Sequence, residues 1–359
     1  EPNDTDERRA LTDRELAVRM AYFLWSAPPD QELLELAKQQ KLTQPEILRQ
    51  QVDRLITDAR SDEFVSGFVH QWLDMERLDF FQFDTTLHRD FDESTRSAAR
   101  QEVYHSFAHL LRNPAHGHLG KLLKSDHVFV NGLLSNYYGI DGVTGQQLRR
   151  VQIPPDSPRG GLVTQASLLK VTANGLVTSP VKRGAFVLAD LLGRPLPPPP
   201  NDVGTIEPDT SGATNVRDEL KRHRNEESCA KCHRLIDPPG FALECFDPIG
   251  GFRTHYRKRF EDILVFVPYE NGLQVDSTGV TDDGRQFDNI QDFKNILLEQ
   301  QEQLATHLIS QLVVYSTGGE IEFADRDKVA AIMTKTREAG FPMRTIIHEV
   351  VQSELFRNR

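Results

Sequence analysis

The chain has 359 residues, 38% of them hydrophobic and 26% charged, with a formal net charge of -11 at pH 7; this is an ordinary folded composition, too long for one small core. A surface of that sign repels phosphate backbones, and the basic clusters, Lys182-Arg183 and Lys221 to Arg224, are short, so no nucleic-acid partner is expected. Three cysteines are too few for a disulfide scaffold, and no apolar run is long enough for a transmembrane segment.

The opening EPNDTDERRA is polar and acidic, unlike a secretion signal, and its abruptness leads us to expect that a leader or further domains precede it. Thr12-x-x-Glu15 reads as a capping box for a helix that buries Ala17, Met20, Ala21 and Leu24 and stops at Pro28-Pro29. A second helix is expected over 30–38. A third starts at Thr43 with Glu46 as reciprocal cap and buries Leu48, Val52, Leu55 and Ile56, and a fourth carries Phe64, Phe68, Trp72 and Met75. After a loop rich in Asp and Phe, helical periodicity resumes over 92–111 with Ala99, Val103, Phe107 and Leu110.

The middle of the chain changes character. VFVNGLLSNYYGI predicts a short helix after a turn, and AFVLADLLG predicts a helix ending at Gly193 that runs into PLPPPP, an extended polyproline strap. Residues 201–214 lack periodicity, and from Asn215 a short charged helix is expected to lead into Cys229. ILVFVPY and GLQVDSTGVTDDGRQFD read as short strands and turns, with Asp282-Asp283-Gly284 as a hairpin signal. Helices over about 290–300, 302–316, 324–338 and 343–355 close the chain.

The chemistry is concentrated in ESCAKCHRLIDPPGFALECFDPIGGFR, residues 227–253, which hold all three cysteines. Cys229-x-x-Cys232-His233 is the attachment pattern of c-type haem. Two thiols three positions apart reach the two vinyl groups on one edge of the macrocycle, while the adjacent imidazole turns under its plane to bind iron. The expectation is one covalently attached haem c per chain, with His233 as proximal iron ligand and Pro238 and Phe241 in the cofactor-binding segment. IDPPG is expected to be an extended turn that brings a backbone carbonyl to the Nδ1 proton of His233. Phe241, Leu243, Phe246, Ile249 and Phe252 supply apolar cover for the porphyrin, and Lys182, Arg183, Arg194 and Arg253 supply charge for its propionates.

Met343, Met333, Met75, His127, His255, His307 and His348 are permitted as sixth ligand; Met343, entering the last helix behind Pro342, and His255, close in sequence to the motif, are the named distal candidates. A structural zinc held by Cys229, Cys232 and Cys245 with a remote histidine is the alternative, although Cys245 is most simply a small buried hydrophobe. An iron-sulfur cluster lacks its fourth cysteine, and a thioredoxin-like dithiol would precede a helix rather than a proline turn. Asp276, Asp282, Asp283 and Asp288 miss calcium-loop spacing, and His105 and His109, one helical turn apart, have no identifiable further ligand. The resulting fold class is mainly α: helical bundles around a c-type haem segment, with short strands and a polyproline strap. Three domains are expected: 1–125, helical; 126–258, haem attachment; and 259–359, short strands followed by helices.

LTDRELAVRMAYFLWSAPPDQELLELA resembles the start of domain of unknown function 1592. RGGLVTQASLLKVTANGLVTSPVKRGAFVLADLLGRPLPPPPNDV followed by SCAKCHRLIDPPGFALECFDPIGGFR resembles domain 1588, and VDSTGVTDDGRQFDNIQDFKNILL, LVVYSTGGEIEFADR and IIHEVVQSELF resemble domain 1585. Together they resemble the planctomycete-type multidomain haem c proteins. That resemblance implies export to the periplasm or another extracytoplasmic compartment, and matches the family's D-P-x-G-F with Asp237, Pro238, Gly240 and Phe241. The expected function is single-electron transfer within a larger oxidoreductase system, with a redox protein or further domains of the same polypeptide as partner. A haem peroxidase or oxidase with an open or displaceable distal site, and a zinc-stabilised surface binding or scaffold protein, are the alternatives.

Overall fold

Residues 9–80, 88, 91–115, 117–173, 178–197, 217, 220, 227–259 and 269–358 are described by a computed structural model, which is mainly helical with short antiparallel strand pairs. Half of the expected polyproline tract, the loop over 201–214, most of the helix leading from Asn215 and most of ILVFVPY lie outside the described residues. Contacts divide the chain into two units, one of residues 1–72, 107–121 and 301–359, the other of 73–106 and 122–300.

In the first unit the Thr12 box forms as expected: the Thr12 hydroxyl accepts from the Glu15 amide at 3.3 Å, and the Glu15 carboxylate accepts from the Thr12 amide at 2.9 Å. The helix Asp13–Trp25 buries Ala17, Met20, Ala21 and Leu24 completely. At Thr43 the expectation fails. Helix Pro45–Thr57 is capped by Gln44 without a side-chain bond, because Pro45 already supplies a first-turn φ and needs no amide acceptor. The amide and hydroxyl of Thr43 turn instead toward the Asp13 carboxylate. Phe23, Phe64, Phe68 and Tyr315 form one aromatic cluster, in which Phe23 meets Phe64 edge to face at 5.0 Å, Phe68 meets Tyr315 edge to face at 5.5 Å, and Phe64 stacks on Phe68. The two ends of the described chain close this unit, the Leu11 amide donating to the Arg357 carbonyl at 2.8 Å.

The second unit contains a strand pair that helical periodicity did not announce. His127–Val130 pairs antiparallel with Arg149–Gln152, and Asn131 then caps the helix Gly132–Tyr138 by accepting from the Leu134 amide at 2.9 Å. Val128, Val130 and Leu134 pack with Phe91, Ala98, Ala99, Ala166 and Ile249 in one core. The Asp282-Asp283-Gly284 hairpin forms, pairing Gly279–Val280 with Gln286–Phe287 and using Gly284 at φ 87°.

Glu102 is fully buried against this core and accepts a 2.5 Å hydrogen bond from the Tyr138 hydroxyl. Burial, outweighing that hydrogen bond, pushes its carboxyl up to about 8. A raised carboxyl gives stability that is complete below its unfolded pKa and lost as pH rises through the folded value. Denaturant unfolding should therefore weaken by up to about 1.4 kcal/mol per pH unit between about pH 5 and pH 8, and Glu102→Gln should flatten that slope. An unchanged slope in the glutamine variant would show that the proton does not reside on Glu102.

Candidate functional site

Cys229, Cys232 and His233 lie in one helix, Glu227–Ala242. Spacings of three and four place them on a common face. Cys229 and His233 are buried, Cys232 is half-buried, and none of the three cysteines is joined in a disulfide. One turn further on, Asp237 completes the stripe: its Oδ1 lies 2.8 Å from His233 Nδ1, and the residue is 1% exposed.

This corrects two expectations. The cysteines open the motif helix rather than ending one, and the helix runs through Pro238 and Pro239 instead of breaking into an extended turn. The acceptor at Nδ1 is consequently a carboxylate four residues on, not a backbone carbonyl. Proline lacks the amide that would bond the fourth carbonyl back. The two prolines are tolerated inside the helix because packing against a neighbouring helix fixes the backbone there, overriding local propensity.

That neighbour is Pro180–Phe186, which Ser179 caps by accepting from the Lys182 amide at 3.3 Å. The helices touch backbone to backbone at two glycines. A Cβ on Gly184 would stand 1.8 Å from the Ile236 carbonyl oxygen, and one on Gly240 would stand 2.1 Å from that of Pro180. Only glycine permits this approach, and it immobilises the turn carrying Asp237.

Beyond the helix every residue through Gly251 is buried, so its polar groups require internal partners. Arg183, fully buried, provides them: Nη1 donates to the Leu243 and Phe246 carbonyls at 2.6 and 2.7 Å, and Nη2 to that of Asp247 at 2.7 Å. Burial lowers its guanidinium to about 10, which leaves it charged at neutral pH. Glu244 accepts from Thr178, Arg253 and Tyr256 at 2.8, 3.1 and 3.2 Å. Asp247 Oδ1 accepts from the Ile249 and Gly251 amides, and Oδ2 stands 3.6 Å from both His88 and Arg257. Arg159 reaches across to the Gly250 carbonyl at 2.7 Å. Arg183 and Arg253 are therefore occupied as an internal clamp, a correction to their expected place beside propionates; Lys182 and Arg194 are exposed.

Phe241 is 5% exposed and packs on Leu220, Val181 and Tyr256, with the Arg217 guanidinium 4.1 Å over its ring. Leu243, Phe246 and Ile249 are buried, whereas Phe252 is half exposed. The structure thus brings Cys229, Cys232 and His233 together and adds Asp237, with Pro238 buried in the following turn. Of the distal candidates, His255 opens the strand His255–Arg259 in the same unit, with its Nδ1 3.1 Å from the Thr254 hydroxyl. Met343 belongs to the other unit, fully buried at the start of Met343–Gln352 with its amide on the Gly117 carbonyl at 2.9 Å. His127 and His348 pair with Asp126 and Asp53, each at 2.8 Å.

Among the described residues, no group of three or more His, Cys, Asp or Glu side chains is placed to hold a metal ion. Cys245 sits 3.3 Å from the Ala242 carbonyl, and burial pushes its thiol up to about 12, the behaviour of a small inert hydrophobe. Sequence reading missed Asp237, Glu244, Asp247 and His88 as partners of this segment. The four-residue spacing of His233 and Asp237 was the available signal, hidden by reading Pro238-Pro239 as a break.

Three family matches lie in order along the chain: Protein of unknown function (DUF1592) over residues 11–140, Protein of unknown function (DUF1588) over 159–256 and Protein of unknown function (DUF1585) over 283–356. The second contains the motif helix, its glycine-packed neighbour and the Arg183 clamp. No curated protein and no solved structure matches the chain.

Proposed function

The chain belongs to the planctomycete-type multidomain family in which DUF1592, DUF1588 and DUF1585 follow one another, and from that premise we propose that it is an extracytoplasmic c-type haem protein that passes electrons singly as a module of a larger oxidoreductase system. The observation that carries this reading is the stripe of two thiols and an imidazole on one helical face, with the imidazole's Nδ1 already engaged by a buried carboxylate.

The donor set fits the group. Cys229 and Cys232 stand three positions apart, as thioether attachment would require, and with Nδ1 of His233 held by Asp237 it is Nε2 that would bind the iron. Haem, when bound, supplies a one-electron couple. The residues around the motif hold the helix rigid through Gly184 and Gly240 and keep the segment after it dry through Arg183, Glu244 and Asp247. Thioether attachment of haem is made outside the cytoplasm, which supports an exported location. The net charge of -11 favours encounter with a basic redox partner through steering.

Protein produced in a host that matures c-type haem should give a c-type pyridine haemochrome spectrum whose pigment survives acid-acetone extraction. Extractable or absent pigment in that host overturns the reading. Refusal of cyanide and carbon monoxide by the iron would support electron transfer, whereas binding of either would favour a peroxidase or oxidase with an open distal site.

A further inference from the structure

We propose that Asp237 sets the reduction potential of the haem iron, by holding the Nδ1 proton of His233 so strongly that the site becomes a low-potential electron donor; this rests on the haem reading above. Three observations support it. The bond is short, 2.8 Å, and its acceptor is a carboxylate at 1% exposure, where little water competes. A hydrogen bond to an ionised acceptor is roughly twice as strong as one to a neutral carbonyl, and low local dielectric strengthens it further. The carboxylate and the imidazole sit one turn apart on the same helix, so their geometry depends on no loop.

The turn is also rigidly placed. Ile236, the residue before Asp237, is the one whose carbonyl presses on Gly184, and Gly240 presses on Pro180 three residues later. The backbone that carries Asp237 cannot shift without disturbing one of these contacts. A strongly held Nδ1 proton raises electron density at Nε2, and an electron-rich axial ligand stabilises ferric over ferrous iron. A backbone carbonyl in that place would exert a weaker pull. Asp237 acts on the iron only through His233 and is a positioning and tuning residue, not a ligand.

The test uses the full matured chain. Asp237→Asn retains shape and offers only a neutral acceptor; it should keep covalent haem by pyridine haemochrome and favour ferrous iron tenfold to a hundredfold more than wild type, a rise of roughly 59–118 mV at about 59 mV per decade for one electron. Asp237→Glu, which keeps the charge, should return part of that shift. A haem-bearing asparagine variant whose ferrous-to-ferric ratio at a fixed potential changes by less than threefold overturns the inference and leaves the haem reading intact, whereas wild-type protein without covalent haem overturns both. Should the asparagine variant fail to fold, nitrogen-15 histidine NMR of the wild-type haem protein decides. The Nδ1 proton of His233 should exchange slowly with solvent, and a rapidly exchanging one overturns the proposal.

Discussion

Replacing Cys229 and Cys232 together by serine is expected to abolish covalent haem while leaving the protein folded. The first half follows from the motif: with both thiols gone, the helix has no sulfur on the His233 face, and Cys245, buried beside the Ala242 carbonyl with its thiol pushed up to about 12, is no substitute nucleophile. The second half follows from where the stabilising contacts lie. Gly184 on Ile236, Gly240 on Pro180 and Arg183 on Leu243, Phe246 and Asp247 are all made after the cysteines, at and beyond the last turns of the helix. Cys232 is half-buried and Cys229 sits near the helix start, so two sulfur-to-oxygen exchanges should cost on the order of 1 kcal/mol each. Any haem retained through His233 alone should leave completely in acid-acetone, with the helical circular dichroism of the variant close to wild type. Pigment that stays with the double variant would mean attachment through another group, and the assignment of these thiols would be lost.

The legible parts of this fold were those where one local signal decides the outcome. The Thr12 to Glu15 box, the turn at Gly284 and the buried faces of the closing helices, with Ile346, Ile347 and Val350 fully buried, all follow from short-range pattern. The failures share a cause. Thr43 and Glu46 have capping spacing, but Pro45 between them satisfies the helix start and Asp13, thirty residues away, claims the Thr43 hydroxyl. Pro238-Pro239 is a strong local break signal, yet the approach of a second helix at Gly184 and Gly240 overrides it. Arg183 and Arg253 read as charge for propionates because their acceptors are carbonyls and a carboxylate some sixty and nine residues distant, which no spacing announces. The motif itself was readable because Cys229, Cys232 and His233 stand at fixed spacing in the sequence; the environment around it was hidden because it is assembled by packing.

Arg183→Met should be the most destabilising single change in the second unit, lowering the unfolding free energy by about 3–5 kcal/mol. Its guanidinium is wholly buried, satisfies three carbonyls at once and stands 3.7 Å from Glu244. Methionine fills similar volume but strands those acceptors in a segment where every neighbour is buried, and an unsatisfied buried acceptor costs about 1–3 kcal/mol. It also removes the nearest cation from one oxygen of Glu244, leaving Arg253 to balance that carboxylate. Against a typical total of about 5–15 kcal/mol, such a loss is a large fraction. Arg183→Lys should fall between, because an ammonium cannot reproduce the fork that spans Leu243 to Asp247. Lys182→Met, one position away and exposed, should stay within about 0.5 kcal/mol of wild type. Denaturant unfolding of the three matured variants separates these cases. A methionine variant within about 1 kcal/mol of wild type would mean that the carbonyls find other donors, and that the clamp beneath the motif helix contributes geometry rather than stability.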